Sequence, residues 1–328
     1  MLDGDILFDP FFGAISYGSY WDDFPETIII GLHQNKNDER ADDCEFDNQG
    51  LPSEKGAAFY EFISQELLPY LEKKYRVAPF RMIAGLDTTA GYLNFFLYKE
   101  HPIFTAYISL NPELAPLMEK RVAEQLAATK DQILYYVSTS DDEIKQLAEP
   151  IRILNENIKQ NNNPLVHYKF ESFKGTGHYS QALVAIPAAL LQIFETYKPI
   201  TSTEFSNKIA LLPAGYVDYL EKKYTLLQET LHLDVPIRIN DFKAIEAAIL
   251  KNKAYSELDQ LAILADKYYP KSMLAEYELG LMFEKQEDYK KAMKRYQNAS
   301  QMQEIGSLNK GMMLEKYELM LSKIAPKK

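Results

Sequence analysis

The residues from 81 to 91, Arg81-Met82-Ile83-Ala84-Gly85-Leu86-Asp87-Thr88-Thr89-Ala90-Gly91, decide the fold. The apolar run Met82–Ala84 predicts a short buried strand, and a segment of helical period follows from about residue 90. Only a sharp turn, beginning near Gly85, separates the two elements. A junction of this kind raises one side chain above the edge of a sheet, and here that side chain belongs to Asp87.

The sequence around this junction alternates short, β-rich apolar runs with longer segments of helical period, from residue 28 to about 196. This alternation is typical of βα units around a parallel sheet. The predicted strands are Ile28–Leu32, Met82–Ala84, Ala106–Leu110, Ile133–Ser138 and Val166–Phe173. The predicted helices lie at about 56–74, 90–99, 114–129, 142–160 and 180–196. We therefore predict an α/β fold, with a mostly parallel sheet and helices on both of its faces.

The residues after Pro199 have a helical pattern without a convincing strand. We predict two domains, an α/β domain at 1–199 and an all-α domain at 200–328. In the second domain, the spacing of Leu279, Gly280, Phe283, Ala292, Tyr296 and Ala299 is typical of a tetratricopeptide-like repeat at about 270–303. An ordinary helical hairpin is the alternative, because a single repeat does not support itself.

The composition excludes several classes of function. A net charge of −11 repels phosphate backbones, so we expect no nucleic-acid partner. The chain lacks a run of about 18 apolar residues, so we predict no membrane span. His33, His167 and His232 have no carboxylate or thiolate at metal-ligand spacing, and we expect no metal and no cofactor. The single cysteine, Cys44, leaves the compartment open: the printed sequence fits the cytoplasm, or the periplasm if a signal peptide precedes it.

Five motifs of the first domain belong together. They are Leu2-Asp3-Gly4, Ile28–Leu32, Phe62–Tyr70, the turn at Gly85–Ala90, and Tyr107–Pro112. Together they resemble the esterase family of α/β hydrolases, which includes the enterochelin and related siderophore esterases and S-formylglutathione hydrolase. The resemblance covers about residues 1–197 and implies an α/β-hydrolase fold and carboxylic-ester hydrolysis. It also implies strands before Leu2, so we expect the natural protein to start about 60–100 residues earlier.

In that family the turn is a nucleophile elbow with the pattern Gly-His-Ser-x-Gly-Gly. Asp87 replaces the nucleophilic serine, and Leu86 replaces the histidine. Thr89 and Ala90 replace the two glycines, and we expect Thr89 to crowd the position of the oxyanion. The resemblance assigns the backbone N–H of Thr88 to the oxyanion hole.

The rest of the catalytic apparatus is implied by two further segments. The stretch Lys174–Ser180 resembles the family's histidine loop, which implies that His178 is the general base. Asp142, or alternatively Asp141, follows the strand that ends at Ser138, where the family has its acidic residue. The chain order Asp87, Asp142, His178 is the hydrolase order of nucleophile, acid and base.

Three functions follow from these observations. The first is an impaired or non-catalytic esterase-like protein that acts in binding. The second is an active hydrolase of an ester or alkyl substrate that uses Asp87, Asp142 and His178; haloalkane dehalogenases and epoxide hydrolases use an elbow Asp in this way. The third is an interaction module formed by the helical tail. The expected partners are a small-molecule ester, or a protein or peptide bound by that tail.

Overall fold

Four parallel strands form the sheet, and their order in space is their order in the sequence. The computed structural model describes residues 1–34, 36 and 38–324. The strands are β1 Met82–Leu86, β2 Ala106–Leu110, β3 Ile133–Asp142 and β4 Val166–Gly177. Each strand pairs in parallel with the next. The predicted α/β fold is confirmed, and four of the five predicted strands are present.

Helices cover both faces of this sheet. Alternate strand residues point to opposite sides, so each face has its own core. Tyr107 and Tyr135 are buried in the core on one face, and Ile108 and Tyr136 in the core on the other. The helices are α1 Gly4–Tyr20, α2 Glu39–Cys44, α3 Glu54–Glu61, α4 Leu68–Lys74, α5 Thr88–Tyr92, α6 Met118–Ala128, α7 Lys145–Lys159 and α8 Ala182–Ile193. A π-helical turn, Phe62–Leu67, joins α3 to α4, and a 3-10 helix, Leu93–Tyr98, extends α5.

The first thirty residues differ from the prediction in two ways. The segment Ile28–Leu32 is not a strand: the Leu32 N–H donates to the Met1 carbonyl (3.0 Å), and the Leu32 carbonyl accepts from Gly4 (2.7 Å), rather than pairing along a neighbouring strand. The helix α1 was not predicted, because Pro10 and the glycines of this stretch are poor helix formers. It forms because Leu7, Phe11 and Ile15, spaced four residues apart, bury one face of the helix.

The chain divides into two compact units. One contains Met1–Tyr197 and Thr230–Leu233, and the other contains Lys198–Glu229 and Asp234–Lys328. The predicted boundary after residue 199 lies two residues beyond the division at Tyr197. The assignment of Thr230–Leu233 to the first unit was not predicted, because the sequence after Pro199 was interpreted as a single helical domain.

The second unit is helical. Its helices are α9 Ser202–Asn207, α10 Tyr216–Leu231, whose last two residues belong to the first unit, α11 Ile239–Asn252, α12 Glu257–Tyr268, α13 Leu274–Lys285, α14 Tyr289–Ala299 and α15 Lys310–Ile324. Successive helices from α11 to α15 pack against each other. A methyl group at Gly280 of α13 would lie 2.6 Å from the ring of Tyr296 on α14, so this glycine permits the close approach of the two helices.

None of the helices in the described part of the chain is both long enough and apolar enough to span a bilayer.

Candidate active site

Asp87 lies in the sharp turn between β1 and α5, with backbone angles of φ 59° and ψ −118° that a non-glycine residue rarely adopts. Three backbone hydrogen bonds hold it there. Its N–H donates to the Leu110 carbonyl (2.9 Å), and its carbonyl accepts from Gly91 (3.1 Å) and Glu113 (3.0 Å). Strained angles of this kind persist only where surrounding contacts enforce them, and they cluster at functional sites. The turn therefore has the geometry of a nucleophile elbow.

The close approach of the elbow to the next loop depends on Gly91, since a methyl group there would lie 1.7 Å from the Glu113 carbonyl oxygen. Thr89 is fully buried beneath the turn. Its hydroxyl accepts the Leu86 N–H (2.9 Å) and donates to the carboxylate of Asp3. The expectation that Thr89 crowds the oxyanion position is therefore wrong, because its side chain hydrogen-bonds under the turn.

His178 faces Asp87. Its Nε2 lies 3.4 Å from Asp87 Oδ1, and its Nδ1 lies 2.6 Å from Oε1 of Glu143. The His178 and Glu143 side chains are only 7% and 3% exposed, so little water competes for the contact between them. The side-chain amide of Asn111 donates to the backbone carbonyl of His178, and the Tyr179 ring stands edge-on to the imidazole at 4.5 Å. These contacts hold the imidazole in one orientation.

The acidic partner of His178 is Glu143, and the prediction of Asp142 does not fit this geometry. Asp142 is exposed at the end of β3, opposite Gly177 of β4. Asp141 is also exposed, and its carboxylate accepts the N–H of Gly175 (2.9 Å). The register of β3 against β4 shifts between residues 140 and 142, and Glu143 is the next residue along the chain. The sequence has three consecutive acids here and gives no local signal of which one turns inward.

Arg40, on α2, is a site residue that the sequence analysis missed. Its guanidinium donates to Asp3 (Nε to Oδ1, 2.6 Å) and to the Leu86 carbonyl (2.8 Å), and it lies 3.8 Å from Asp87 Oδ2. Burial acts to lower the pKa of Arg40, but the hydrogen bond and charge of Asp3 and the charge of Asp87 raise it above its ordinary value. Arg40 is the one basic residue in the acidic run 38–47, and this was the only feature of the sequence that could have indicated its place in the site.

The electrostatics of Asp87 are a balance of opposing effects. Burial, the largest effect, raises the pKa of this carboxyl, and the charge of Glu113 raises it further. The imidazole of His178 and the guanidinium of Arg40 lower it. Together these effects raise the pKa of Asp87 above its ordinary value. The backbone N–H of Thr88, the expected oxyanion donor, also acts on the Asp87 carboxylate and lowers its pKa. The Thr88 hydroxyl donates to Glu113 (2.9 Å). Within the described residues, no group of three or more His, Cys, Asp or Glu side chains is arranged to hold a metal ion.

A parallel sheet with a strained elbow, and a histidine bound to an acid beside it, define the class of α/β hydrolases. The chain belongs to the family described as "Putative esterase", whose model matches residues 1–192. A comparison with curated protein sequences finds no match.

Solved structures share this fold. An uncharacterised protein from Capnocytophaga ochracea has a TM-score of 0.88 and 27% identity, over 98% of this chain and 89% of that one. An IroE-like serine hydrolase from Shewanella oneidensis has a TM-score of 0.60 and 16% identity, over 81% of this chain and 88% of that one. At 16% identity, the similarity to the IroE-like serine hydrolase concerns the fold alone.

Proposed function

We propose that this protein is an esterase-like α/β-hydrolase protein that does not hydrolyse esters and acts in binding. One observation carries the proposal. The carboxylate of Asp87 occupies the place of the serine nucleophile, between His178 Nε2 at 3.4 Å and the Arg40 guanidinium at 3.8 Å. The imidazole that would activate a serine hydroxyl thus lies beside a carboxylate, which has no proton for it to remove.

The chemistry of a carboxylate supports this proposal. Attack by Asp87 on an ester carbonyl would form an anhydride and expel an alkoxide, an uphill step for which the site offers no evident compensation. If water attacked the ester instead, the negative charge of Asp87 would repel the oxyanion that develops beside it, and the Thr88 N–H already acts on the Asp87 carboxylate.

Two classes of partner fit this proposal. A small-molecule ester held without turnover is one partner, and a protein or peptide held by the helical domain, residues 200–328, is the other. The packing of α13 against α14 supports a tetratricopeptide-like repeat at about 270–303, because Ala292, Tyr296 and Ala299 are fully buried and Gly280 lies against Tyr296. Such repeats present extended surfaces to partners.

The test is to restore the nucleophile. Asp87→Ser should react with a fluorophosphonate probe and hydrolyse p-nitrophenyl butyrate at a low but measurable rate, because His178 and Glu143 are already paired at 2.6 Å. The unmodified protein and Asp87→Asn should show neither reaction. Asp87→Ser combined with His178→Ala is the matched control and should lose both. Ester turnover by the unmodified chain that disappears in Asp87→Asn would overturn the proposal.

A second candidate function is an active hydrolase with Asp87 as nucleophile, and the order of contacts Asp87–His178–Glu143 favours it. The Asp87 carboxylate would displace a leaving group from an sp³ carbon and form an alkyl ester. His178 would then take a proton from water as the water attacks the ester carbonyl, which releases the alcohol and regenerates Asp87. Glu143 has the acid role given to Asp142 from the sequence.

This chemistry leaves an isotopic record. Turnover of 1-bromobutane in H₂¹⁸O would release bromide and place ¹⁸O in the carboxylate of Asp87, which mass spectrometry of the elbow peptide detects. Bromide release that persists in Asp87→Asn would exclude the mechanism. An absence of both bromide and label would leave the binding proposal alone.

A further inference from the structure

Glu278, in the middle of α13, is a carboxyl group buried without a partner. Its residue is 0% exposed, and among the described residues neither of its carboxylate oxygens has a hydrogen-bond partner. It lies in the helical unit, whose core is formed mainly by apolar side chains such as Leu281 and Ala265. Asp241, another fully buried carboxyl of this unit, differs from it because Asp241 accepts hydrogen bonds from the Ile200 N–H (2.8 Å) and the Tyr224 hydroxyl (2.7 Å). An ionised carboxylate in such a place costs so much free energy that it takes up a proton instead.

No cationic side chain of the residues that the structure describes forms a hydrogen bond with the Glu278 carboxyl group. Among the described residues, the ionisable group that acts on Glu278 is Glu246 of α11, a second carboxyl that is half-buried. The hydroxyl of Tyr277 donates to Glu246 (3.2 Å), which ties α13 to α11 at this point. Lys243 of α11 and Lys316 of α15 act on Glu246 and favour its ionised form.

The other charges nearby are already paired with each other. Lys316 donates to Glu284 of α13 (2.9 Å), and Glu284 also accepts the hydroxyl of Tyr296 on α14 (2.5 Å). Burial acts to raise the pKa of Glu284, but these two donors lower it below its ordinary value. Glu284 is thus a paired carboxylate of α13, whereas Glu278 on the same helix has no hydrogen-bond partner among the described residues.

We propose that Glu278 is a buried carboxyl that holds its proton in the folded helical unit, and that loss of this proton at rising pH destabilises the packing of α13 in that unit. A carboxylate that is removed from water without a hydrogen-bond donor or a cation is unfavourable, so the neutral acid is the stable form of this side chain in the folded unit. Glu278 is thus a pH-sensitive element of the helical unit, and the proposal does not depend on the chemistry of the elbow.

The sign follows from proton linkage. Burial raises the pKa of Glu278 well above its ordinary value, and Glu246 raises it further; burial also raises the pKa of Glu246. The folded unit then binds more protons than the unfolded chain above about pH 4, the ordinary pKa of glutamate. The contribution of the protonated carboxyl to the stability of the unit is fully present below that pH. It is lost as the pH rises through the raised pKa of Glu278. One proton changes the unfolding equilibrium constant by at most about tenfold per pH unit.

The experiment measures unfolding of α13 in the full chain. The protein is equilibrated in urea at values from about pH 5 to about pH 9. It is then labelled by a short hydrogen-exchange pulse at one fixed pH, and the mass of the α13 peptides gives the unfolded fraction. The unfolding constant of the unmodified protein should rise with pH, by up to about tenfold per unit. In Glu278→Gln this rise should be largely lost.

Two further variants separate the proposal from a merely structural role. Glu278→Leu, which keeps the volume without a carboxyl, should also lose the pH dependence. Glu284→Gln removes a paired carboxylate from the same cluster; it should lower stability at every pH but keep the rise. An unmodified chain whose unfolding constant does not rise over this range, or a rise that persists unchanged in Glu278→Gln and Glu278→Leu, would overturn the proposal.

Discussion

The pair of Arg40 and Asp3 should be the main electrostatic support of the elbow, and its removal gives a measurable prediction. Asp3 has a side chain that is only 2% exposed, and the Arg40 Nε lies 2.6 Å from it. Removing one partner of a buried ion pair costs about 3–5 kcal/mol, because an uncompensated charge remains. Arg40 is 26% exposed, and Asp3 keeps the Thr89 hydroxyl, so we take about 2–3 kcal/mol for Arg40→Met.

That free energy corresponds to a fall in Tm of about 4–12 °C, at about 2–4 °C per kcal/mol for a domain of this size. The protein has one tryptophan, Trp21, and it lies in the first unit. Thermal unfolding followed by tryptophan fluorescence therefore reports on the unit that contains Arg40. Replacing the carboxylate as well, in Asp3→Asn with Arg40→Met, should recover part of the loss, since the two residues form a coupled pair.

Lys55→Met is the matched control. Lys55 pairs with Asp42 on an exposed surface, 61% and 44% exposed, and its removal should leave the Tm unchanged. An Arg40→Met variant whose Tm matches that of Lys55→Met would refute the reasoning. Strict additivity of Arg40→Met and Asp3→Asn would refute it too, because it would show that the ion pair has no coupling energy.

Three further predictions concern the elbow and its partners. Burial raises the pKa of Asp87, so ionisation of this group lowers stability as the pH rises above about 4; Asp87→Asn should gain Tm relative to the unmodified chain at pH 7, and the gain should shrink in acid. Gly91→Ala places a methyl group 1.7 Å from a carbonyl oxygen and should cost about 1–3 kcal/mol or more in urea unfolding, whereas Gly13→Ala, with open space around it in α1, should gain up to about 1 kcal/mol. When Asp87→Ser is already present, Glu143→Gln should abolish detectable p-nitrophenyl ester hydrolysis, since loss of the acid of a triad typically lowers the rate by about 10⁴. Asp142→Asn should have little effect. Equal effects of the two variants would show that Glu143 does not orient His178.

The sequence alone determined the elements whose signal is local. The strands β1 to β3 were predicted because strands buried on both faces of a parallel sheet are continuous apolar runs. The last strand, β4, is half-buried, and its signal was the alternation of Val166, Tyr168 and Phe170 with polar residues. The position of Asp87 followed from the short distance along the chain between a strand and a helix. The loop of His178 followed from a motif of consecutive residues. In each case the information lies within about ten residues of the position it predicts.

The tertiary structure decided what depends on residues far apart in the chain. The hydroxyl of Thr89 points under the elbow because it meets Asp3, 86 positions away, and Arg40 reaches the elbow across 46 residues to the carbonyl of Leu86. The acid that meets His178 is Glu143, beyond the point where the register of β3 against β4 shifts, a property of two paired strands rather than of one sequence segment. A buried polar group takes whichever partner the fold brings within hydrogen-bond distance, and no spacing along the chain encodes that choice.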